Sequence, residues 1–132
     1  MTQRPRIRDY MARDLVTLST TLEINRAAAL LLERRISGAP VVDARGGLVG
    51  VLSKKDCLRA ALHASYYRDW SGTVDKYMSA NPETLDADLD ILEAAEAFLA
   101  SHFRRFPVMS EGALVGQVSR ADILRALYEH WS

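Results

Sequence analysis

The stretch LVGVLSKKD at residues 48–56 returns as ALVGQVSRAD at residues 113–122. Each copy is a short apolar segment that contains one glycine and ends in Ser-x-x-Asp. An apolar run that stops at Ser, with an acidic residue three positions on, is typical of a strand that leads into a helix. Helices are therefore predicted to begin at Ser53 and Ser119.

The similarity extends over most of the chain. IRDYMARDLVTL (7–18) aligns with VDKYMSANPETL (74–85) at a separation of 67 residues, and Pro40-Val41 aligns with Pro107-Val108 at the same separation. From Leu48 onward the separation is 66, because the second turn is one residue shorter. A constant separation of this kind indicates one structural unit that occurs twice.

Each copy predicts the element order strand, helix, strand, strand, helix, which gives an α+β fold of two β-α-β-β-α repeats. Extended pieces at 16–18 and 83–85 each precede a helix of about fourteen residues, beginning after Ser19-Thr20-Thr21 or at Asp86. The paired strands are predicted at 39–43 and 48–52, and at 106–110 and 114–118. The predicted boundaries are an N-terminal arm at 1–6, a first repeat at 7–62, a linker at 63–73, and a second repeat with a C-terminal helix at 74–132.

Composition limits the classes of protein to consider. The chain has 132 residues, of which 48% are hydrophobic, enough for a globular core. Its longest apolar run, Ala27 to Leu32, falls far short of the roughly 20 residues that span a bilayer, and its start lacks the apolar core of a signal peptide. The single cysteine, Cys57, excludes an intramolecular disulfide. We therefore expect a cytoplasmic protein without membrane insertion.

Charge and reactive residues give no sign of nucleic-acid binding or catalysis. Residues 7–62 carry nine Lys/Arg against six Asp/Glu, an excess too small for a general nucleic-acid binder. The three histidines, at 63, 102 and 130, lack metal-ligand spacing, and no histidine near Cys57 in the sequence could activate its thiol. The sequence thus predicts neither a metal site nor an enzyme.

Two local patterns each have two interpretations. The Ser-x-x-Asp pairs are either helix caps or contacts to a ligand, and the two roles are compatible when the ligand site is empty. The aromatic residues of HASYYRDWSG (63–72), together with Trp131, either pack onto the domain or form a docking surface. The helix LEINRAAALLLERR (22–35) is apolar on more than one face, which predicts that a sheet covers one side and a neighbouring unit or a second chain another.

The ordered motifs resemble a tandem pair of CBS domains, also called a Bateman module. The resemblance spans about residues 7–129 and is carried by IRDYMARDLVTL and VDKYMSANPETL, and by RISGAPVVDARGGLVGVLSKKDCL (35–58) and HFRRFPVMSEGALVGQVSRADIL (102–124). It implies two repeats packed about a pseudo-twofold axis and usually paired again as a homodimer. It also implies the sensing of adenosine-containing ligands such as AMP, ADP, ATP or S-adenosylmethionine, with no required cofactor. Because the repeats take up nearly all of the chain, we expect the regulated protein to be a separate polypeptide. The alternative is a ligand-free interaction scaffold.

The resemblance implies two clefts, each formed by residues of both repeats. In this family the Ser or Thr of the motif lies near the phosphate or ribose, and the Asp accepts the ribose hydroxyls. The first cleft would hold Val16, Thr17, Ile36, Ser37, Arg104, Ser119 and Asp122. The second would hold Thr84, Phe103, Arg104, Ser37, Ser53 and Asp56, with Lys54 and Lys55 close by. We expect Arg104 to contact phosphate and the Asp122 cleft to be the better site. Phe106, where the first repeat has Ala39, would either stack on adenine or fill its pocket.

Overall fold

Two sheets, each containing one of the Ser-x-x-Asp strands, form the framework of the computed structural model, which describes residues 4–131. The chain divides into two units of contacting residues, and each contains one sheet. We name them the Ser53 unit, residues 16–82, and the Ser119 unit, residues 4–15 together with 83–131. The predicted α+β class is confirmed.

The Ser53 unit has a four-stranded sheet in the order β1-β2-β3-β4. Its elements are β1 (Leu18–Ser19), α1 (Ile24–Arg34), β2 (Gly38–Val42), β3 (Leu48–Ser53), α2 (Lys54–Tyr67), α3 (Val74–Tyr77) and β4 (Ser79–Ala80). β1 pairs with β2 in parallel, and the other pairs are antiparallel. Fully buried aliphatic side chains, including Leu31 and Leu52, form the core between the sheet and the helices.

The Ser119 unit has a three-stranded sheet in the order β5-β6-β7. After a 3-10 helix at Ile7–Asp9, its elements are β5 (Leu85–Asp86), α4 (Ile91–Leu99), β6 (Arg105–Ser110), β7 (Ala113–Ser119) and α5 (Arg120–Trp131). β5 runs parallel to β6, and β6 is antiparallel to β7. The core contains Ile7 from the 3-10 helix together with Phe98 and Phe106.

The first helix of each repeat is shorter than predicted and begins later. α1 has 11 residues and starts after Glu23, and α4 has 9 residues and starts after Asp90, whose carboxylate accepts a hydrogen bond from the Leu92 N–H at 2.7 Å. The polar residues predicted to begin these helices instead support turns, since the Ser19 hydroxyl and the Asp86 carboxylate each accept the N–H two residues on. Short polar side chains stabilise such turns as readily as helix starts, and the sequence pattern does not distinguish the two.

Of the two interpretations of the aromatic residues after the first repeat, packing onto the domain does not describe the largely exposed Tyr66 and Tyr67, while Trp70 is 43% exposed. α2 continues to Tyr67, and the side chains of Tyr66 and Tyr67 are 76% and 71% exposed. Trp131 at the end of α5 is 65% exposed. These rings extend from the ends of helices, where no element of their own unit covers them.

The segment at 4–12 includes the beginning of the first repeat in sequence but packs in the Ser119 unit. The Ile7 N–H donates to the Leu89 carbonyl at 3.0 Å, and Ala12 and Gln117 exchange two backbone hydrogen bonds at 2.8 and 2.9 Å. Gly116 makes this approach possible, because a Cβ there would lie 2.7 Å from the Ala12 carbonyl oxygen. Gly50 has the equivalent role beneath Met78, which explains the glycine in both copies of the opening motif.

Two ion pairs add to this attachment. The Nε of Arg8 lies 2.6 Å from Asp88 Oδ1, and the Nε of Arg4 lies 2.6 Å from Asp90 Oδ2. The hydrogen bond from Arg8 lowers the pKa of Asp88, whereas the pKa of Asp90 is lowered first by the backbone N–H of Leu92 and then by Arg4. Both carboxylates therefore favour the folded state when they are ionised.

The unfolding free energy is expected to fall as pH decreases from about 5 to 2, because the stabilisation is present above the pKa of an unfolded Asp, about 3.9, and is lost as pH falls through the lowered values. Urea unfolding followed by circular dichroism across this range measures the effect. Asp88→Asn should show a shallower pH dependence than the wild type, whereas Glu33→Gln, on an exposed face of α1, should match the wild type. Equal slopes for all three proteins would contradict the prediction.

Within residues 4–131, the helices are too short or too polar for any of them to span a bilayer.

Candidate functional site

The junction of β3 and α2 is a capping box built from Ser53 and Asp56. The Asp56 N–H donates to the Ser53 hydroxyl at 3.2 Å, and the Ser53 N–H donates to Asp56 Oδ2 at 2.9 Å. The Ser53 hydroxyl also donates to the same carboxylate oxygen at 3.0 Å. The capping interpretation is therefore confirmed for this pair.

The junction of β7 and α5 repeats this arrangement with Ser119 and Asp122. The Ser119 N–H donates to Asp122 Oδ2 at 2.9 Å, and the Asp122 N–H donates to the Ser119 hydroxyl at 3.2 Å. Both predicted helix starts are correct to within one residue. The sheet fixes the direction of each serine, since Ser53 pairs with Gly38 and Ser119 with Arg105 across the strand pairs.

An arginine three residues beyond each Asp contacts the other carboxylate oxygen. Arg59 Nη2 donates to Asp56 Oδ1 at 3.0 Å, and Arg125 Nη2 donates to Asp122 Oδ1 at 3.3 Å. These arginines are not among the site residues predicted from the sequence, although Asp-x-x-Arg occurs in both copies. Residues three apart on a helix are neighbours, so the spacing alone could have identified the pair.

The two carboxylates differ in how much hydrogen-bonding capacity remains. A carboxylate has about four acceptor positions. Among the described residues, Asp56 accepts from the Ser53 N–H, the Ser53 hydroxyl and Arg59, whereas Asp122 accepts only from the Ser119 N–H and Arg125. About one position remains on Asp56 and about two on Asp122. Asp122 is also more accessible, with 19% of its side chain exposed against 8% for Asp56.

The start of α2 lies beside the residues that lead into β2, and the start of α5 lies beside those that lead into β6. The Lys54 N–H donates to the Ser37 carbonyl at 2.8 Å, and the Arg120 N–H donates to the Arg104 carbonyl at 3.0 Å. The structure thus brings Ile36 and Ser37 next to Ser53, and Arg104 next to Ser119. Arg104, Ser37, Lys54 and Lys55 are exposed, and Ile36 is half-buried.

Arg120 is a further residue that the sequence analysis did not single out. Its Nε donates to the Phe103 carbonyl at 3.1 Å, and its Nη2 contacts the His102 carbonyl at 3.4 Å. Arg120 therefore holds the loop that carries Arg104 against the start of α5. The equivalent residue in the other unit is Lys54, so the two repeats share only a positive charge at this position.

The remaining predicted site residues flank the first strands. Val16 and Thr17 precede β1, and Thr84 precedes β5. β2 lies between β1 and β3, and β6 lies between β5 and β7. In each sheet one strand therefore separates the first strand from the strand that ends in the motif serine. Thr17 and Thr84 are exposed and Val16 is half-buried. That residues of both repeats combine into one cleft stays a prediction.

Phe106 lies in the core of the Ser119 unit. It is 2% exposed, and its ring centroid is 4.8 Å from that of Phe98 and 5.3 Å from that of Phe103. In this structure it packs against other side chains rather than presenting a face for an adenine to stack on. Phe103 covers its outer edge and is itself 45% exposed.

Cys57 and the metal-ligating residue types give no candidate reactive centre among the residues that the structure describes. Burial, followed by the negative charge of Asp56, raises the pKa of the Cys57 thiol, which opposes formation of a thiolate. Within 4–131, no three His, Cys, Asp or Glu side chains group as metal ligands.

Comparison with known proteins identifies the family. The family model of the CBS domain matches residues 7–63 and 74–129. An A-adding tRNA nucleotidyltransferase of Aquifex aeolicus is 32% identical over 94% of this chain, and the protein MJ1225 of Methanocaldococcus jannaschii is 27% identical over 96% of it. The crystal structure of CBSX2 of Arabidopsis thaliana in complex with AMP is 27% identical, covers 96% of this chain and 98% of its own, and has a TM-score of 0.81.

The curated relatives are longer than the matched region. The chain spans 44% of the length of MJ1225 and 14% of the nucleotidyltransferase. In both relatives the similarity covers nearly the whole of this chain and therefore both repeats. On the matches of the family model to both repeats, the chain belongs to the CBS-domain family, with one CBS domain at residues 7–63 and a second at residues 74–129.

Proposed function

We propose that this CBS-domain pair is a regulatory module that binds an adenosine-containing ligand, foremost AMP, through Asp122 at the start of α5. The observation that carries the proposal is the carboxylate of Asp122, which keeps two acceptor positions open and is partly accessible. A ribose presents two neighbouring hydroxyl donors, which fit two such positions. The AMP complex of CBSX2, an Arabidopsis protein of the same fold, supports this ligand class.

The start of α5 can also receive a phosphate group. The Arg120 and Asp122 N–H groups are already bonded within the unit, so the main backbone contribution at this helix start is the dipole, which favours negative charge there. The Arg104 side chain is exposed beside this helix start, and Arg120 holds its loop in place. Arginine binds phosphate through two parallel hydrogen bonds, so Arg104 is the proposed phosphate contact.

We assign a weaker site of the same kind to Asp56. Its helix start has the same backbone geometry and two exposed lysines, Lys54 and Lys55. However, Asp56 is nearly buried and has about one acceptor position left, so a ribose must displace Arg59 or the Ser53 hydroxyl to make two hydrogen bonds. The structural difference supports the ranking of the two sites made from the sequence.

A thermal-melt series with AMP, ADP, ATP, S-adenosylmethionine and NADH tests the proposal. A ligand present at 100 times its Kd stabilises the folded state by about 2.7 kcal/mol, which raises the melting temperature by several degrees. We expect AMP to give the largest increase. The absence of any increase at millimolar concentrations of all five ligands would rule out the proposed function.

We further propose that the module acts as a homodimer that controls a separate protein. Both repeats expose the same apolar helix positions, since Leu58 on α2 and Leu124 on α5 are 68% and 69% exposed, and Leu62 and Tyr128 follow one turn later on the same faces. A twofold dimer buries the same patch on both copies, and a second copy of this chain supplies a matching apolar surface.

Replacing Leu58 and Leu124 by glutamate is expected to convert the dimer to a monomer, because the interface would then bury unpaired charges. Light scattering coupled to gel filtration measures the mass. Ala44→Glu, a substitution in an exposed turn, serves as the control and should stay dimeric. A wild-type protein that is monomeric at micromolar concentration would contradict this part of the proposal.

A further inference from the structure

Arg125 contacts both the proposed ribose-binding carboxylate and the segment at 4–12. Its Nη2 lies 3.3 Å from Asp122 Oδ1, and the centre of its guanidinium group lies 5.6 Å from the centroid of the Tyr10 ring. The hydroxyl of Tyr10 donates in turn to Glu129 at 2.6 Å, and this hydrogen bond raises the pKa of the Tyr10 phenol. Tyr10 is thus fixed at both ends, by its backbone and by its hydroxyl.

The backbone around Tyr10 is part of a firm attachment. The Tyr10 and Met11 N–H groups donate to the Ile7 carbonyl, and Ala12 pairs with β7 through Gln117. Tyr10 therefore cannot move away from α5 unless this segment also shifts. The attachment of residues 4–12 therefore determines where the Tyr10 ring lies and how it is oriented.

The Ser53 unit lacks this arrangement. Arg59 contacts Asp56 in the same way, but among residues 4–131 no ring lies over its guanidinium group. The residue equivalent to Tyr10 is Tyr77, whose hydroxyl donates to the Ser71 carbonyl at 3.1 Å. The residue equivalent to Glu129 is His63, which lies against Tyr67 with ring centroids 4.7 Å apart. The anchored arginine is specific to the Ser119 unit.

Arg125 is not needed to orient the Asp122 carboxylate. The Ser119 N–H already holds Oδ2 at 2.9 Å, and the backbone of Asp122 is held through its own N–H. The effect of Arg125 is to occupy one acceptor position on Oδ1. Its side chain lies next to this oxygen on the surface of α5. A ribose hydroxyl that uses the remaining position on Oδ1 must share this oxygen with the guanidinium group, which crowds it.

We propose that Arg125 is the gating residue of the Asp122 site and that Tyr10 is its positioning residue, so that attachment of the segment at 4–12 lowers the affinity of this site for adenosine ligands. The inference rests on the proposed function of Asp122. Coupling of this kind is reciprocal: a ligand that shares Oδ1 of Asp122 weakens the contact of Arg125 with that oxygen and thereby weakens the hold of α5 on Tyr10. The Asp56 site lacks the anchor and is not controlled in this way.

The experiment measures binding of AMP and of adenosine by calorimetry in a protein that carries Asp56→Asn, so that the Asp122 site is observed alone. Arg125→Met and Tyr10→Met are introduced singly and together. Methionine fills the space of Tyr10 flexibly without offering an aromatic face. Arg45→Met, in an exposed turn of the Ser53 unit, controls for loss of one positive charge.

Arg125→Met is expected to tighten binding of both ligands by about two- to fivefold, the range of an exposed ion pair. Tyr10→Met should tighten it by about two- to fivefold, as expected for loss of an exposed cation–π contact, and should add nothing when Arg125→Met is already present. Tyr10→Phe keeps the ring and should stay closer to the parent protein than Tyr10→Met. Arg45→Met should leave adenosine binding unchanged.

Four results would overturn the inference. Weaker AMP binding with unchanged adenosine binding in Arg125→Met would make Arg125 a phosphate contact. An effect of Tyr10→Met that persists in full beside Arg125→Met would show that Tyr10 acts by another route. Unchanged affinities in both variants would refute gating by Arg125 but would leave the proposed function intact. A parent protein that binds neither AMP nor adenosine would refute both the gating and the proposed function.

Discussion

Replacing Asp122 by glutamate is expected to weaken AMP binding by about tenfold or more while helix α5 stays capped. Glutamate is the usual partner of serine in a capping box, so the longer side chain still reaches the Ser119 N–H. It carries the carboxylate about one methylene further, away from the position where the two ribose hydroxyls are accepted. Hydrogen bonds to a charged group contribute about 1.5–3 kcal/mol each, so loss of one of them accounts for an effect of this size.

Calorimetric titration gives the affinity, and thermal unfolding without ligand shows whether the cap persists. The matched variant is Asp56→Glu, which changes the weaker proposed site in the same way and should reduce affinity for AMP much less. A melting temperature within about 2 °C of the wild type is expected for both, because a cap contributes about 1 kcal/mol and is retained. AMP affinity that is unchanged in Asp122→Glu would mean that the aspartate serves as a cap alone.

The fold could be predicted from the sequence to the extent that it depends on local signals. The helix starts at Ser53 and Ser119 were predicted because serine and aspartate three residues apart bond to each other's backbone, whatever the rest of the chain does. The starts predicted after Ser19-Thr20-Thr21 and at Asp86 were too early, because the same residue types also support turns. Attachment of residues 4–12 to β7 depends on pairing between distant segments, which no local pattern encodes.

The candidate site was only partly predictable for a related reason. The repeat pointed to both Ser-x-x-Asp pairs, but the two sites look alike in sequence and differ in detail. The Ser53 hydroxyl occupies a carboxylate oxygen of Asp56, and burial differs between the two aspartates. The contact between Arg125 and Tyr10 joins residues that are far apart in the chain. Differences of this kind arise from packing and are invisible to a comparison of motifs.

Replacing Phe106 by alanine is expected to destabilise the Ser119 unit by about 3–5 kcal/mol, because the change leaves a cavity beside Phe98 and Phe103. The equivalent position of the Ser53 unit is already alanine, at Ala39, and is buried there. That unit has smaller side chains at all three positions, with Leu31 where the Ser119 unit has Phe98 and Ile36 where it has Phe103, so its core is built around a smaller volume. The core of the Ser119 unit is instead built around the contacting rings and depends on the phenyl ring of Phe106.

Urea unfolding measures the loss for Phe106→Ala, and Phe106→Leu separates a core role from contact with a ligand. Leucine restores most of the volume, so Phe106→Leu should lose only about 1–2 kcal/mol. Because the ring faces Phe98 and Phe103 inside the unit, the affinity of Phe106→Leu for AMP should stay within about twofold of the wild type, at protein concentrations where the variant is folded. A tenfold loss of AMP affinity in a stably folded Phe106→Leu protein would instead place the ring against adenine, and a loss of less than 1 kcal/mol in Phe106→Ala would show that the neighbouring side chains close the cavity.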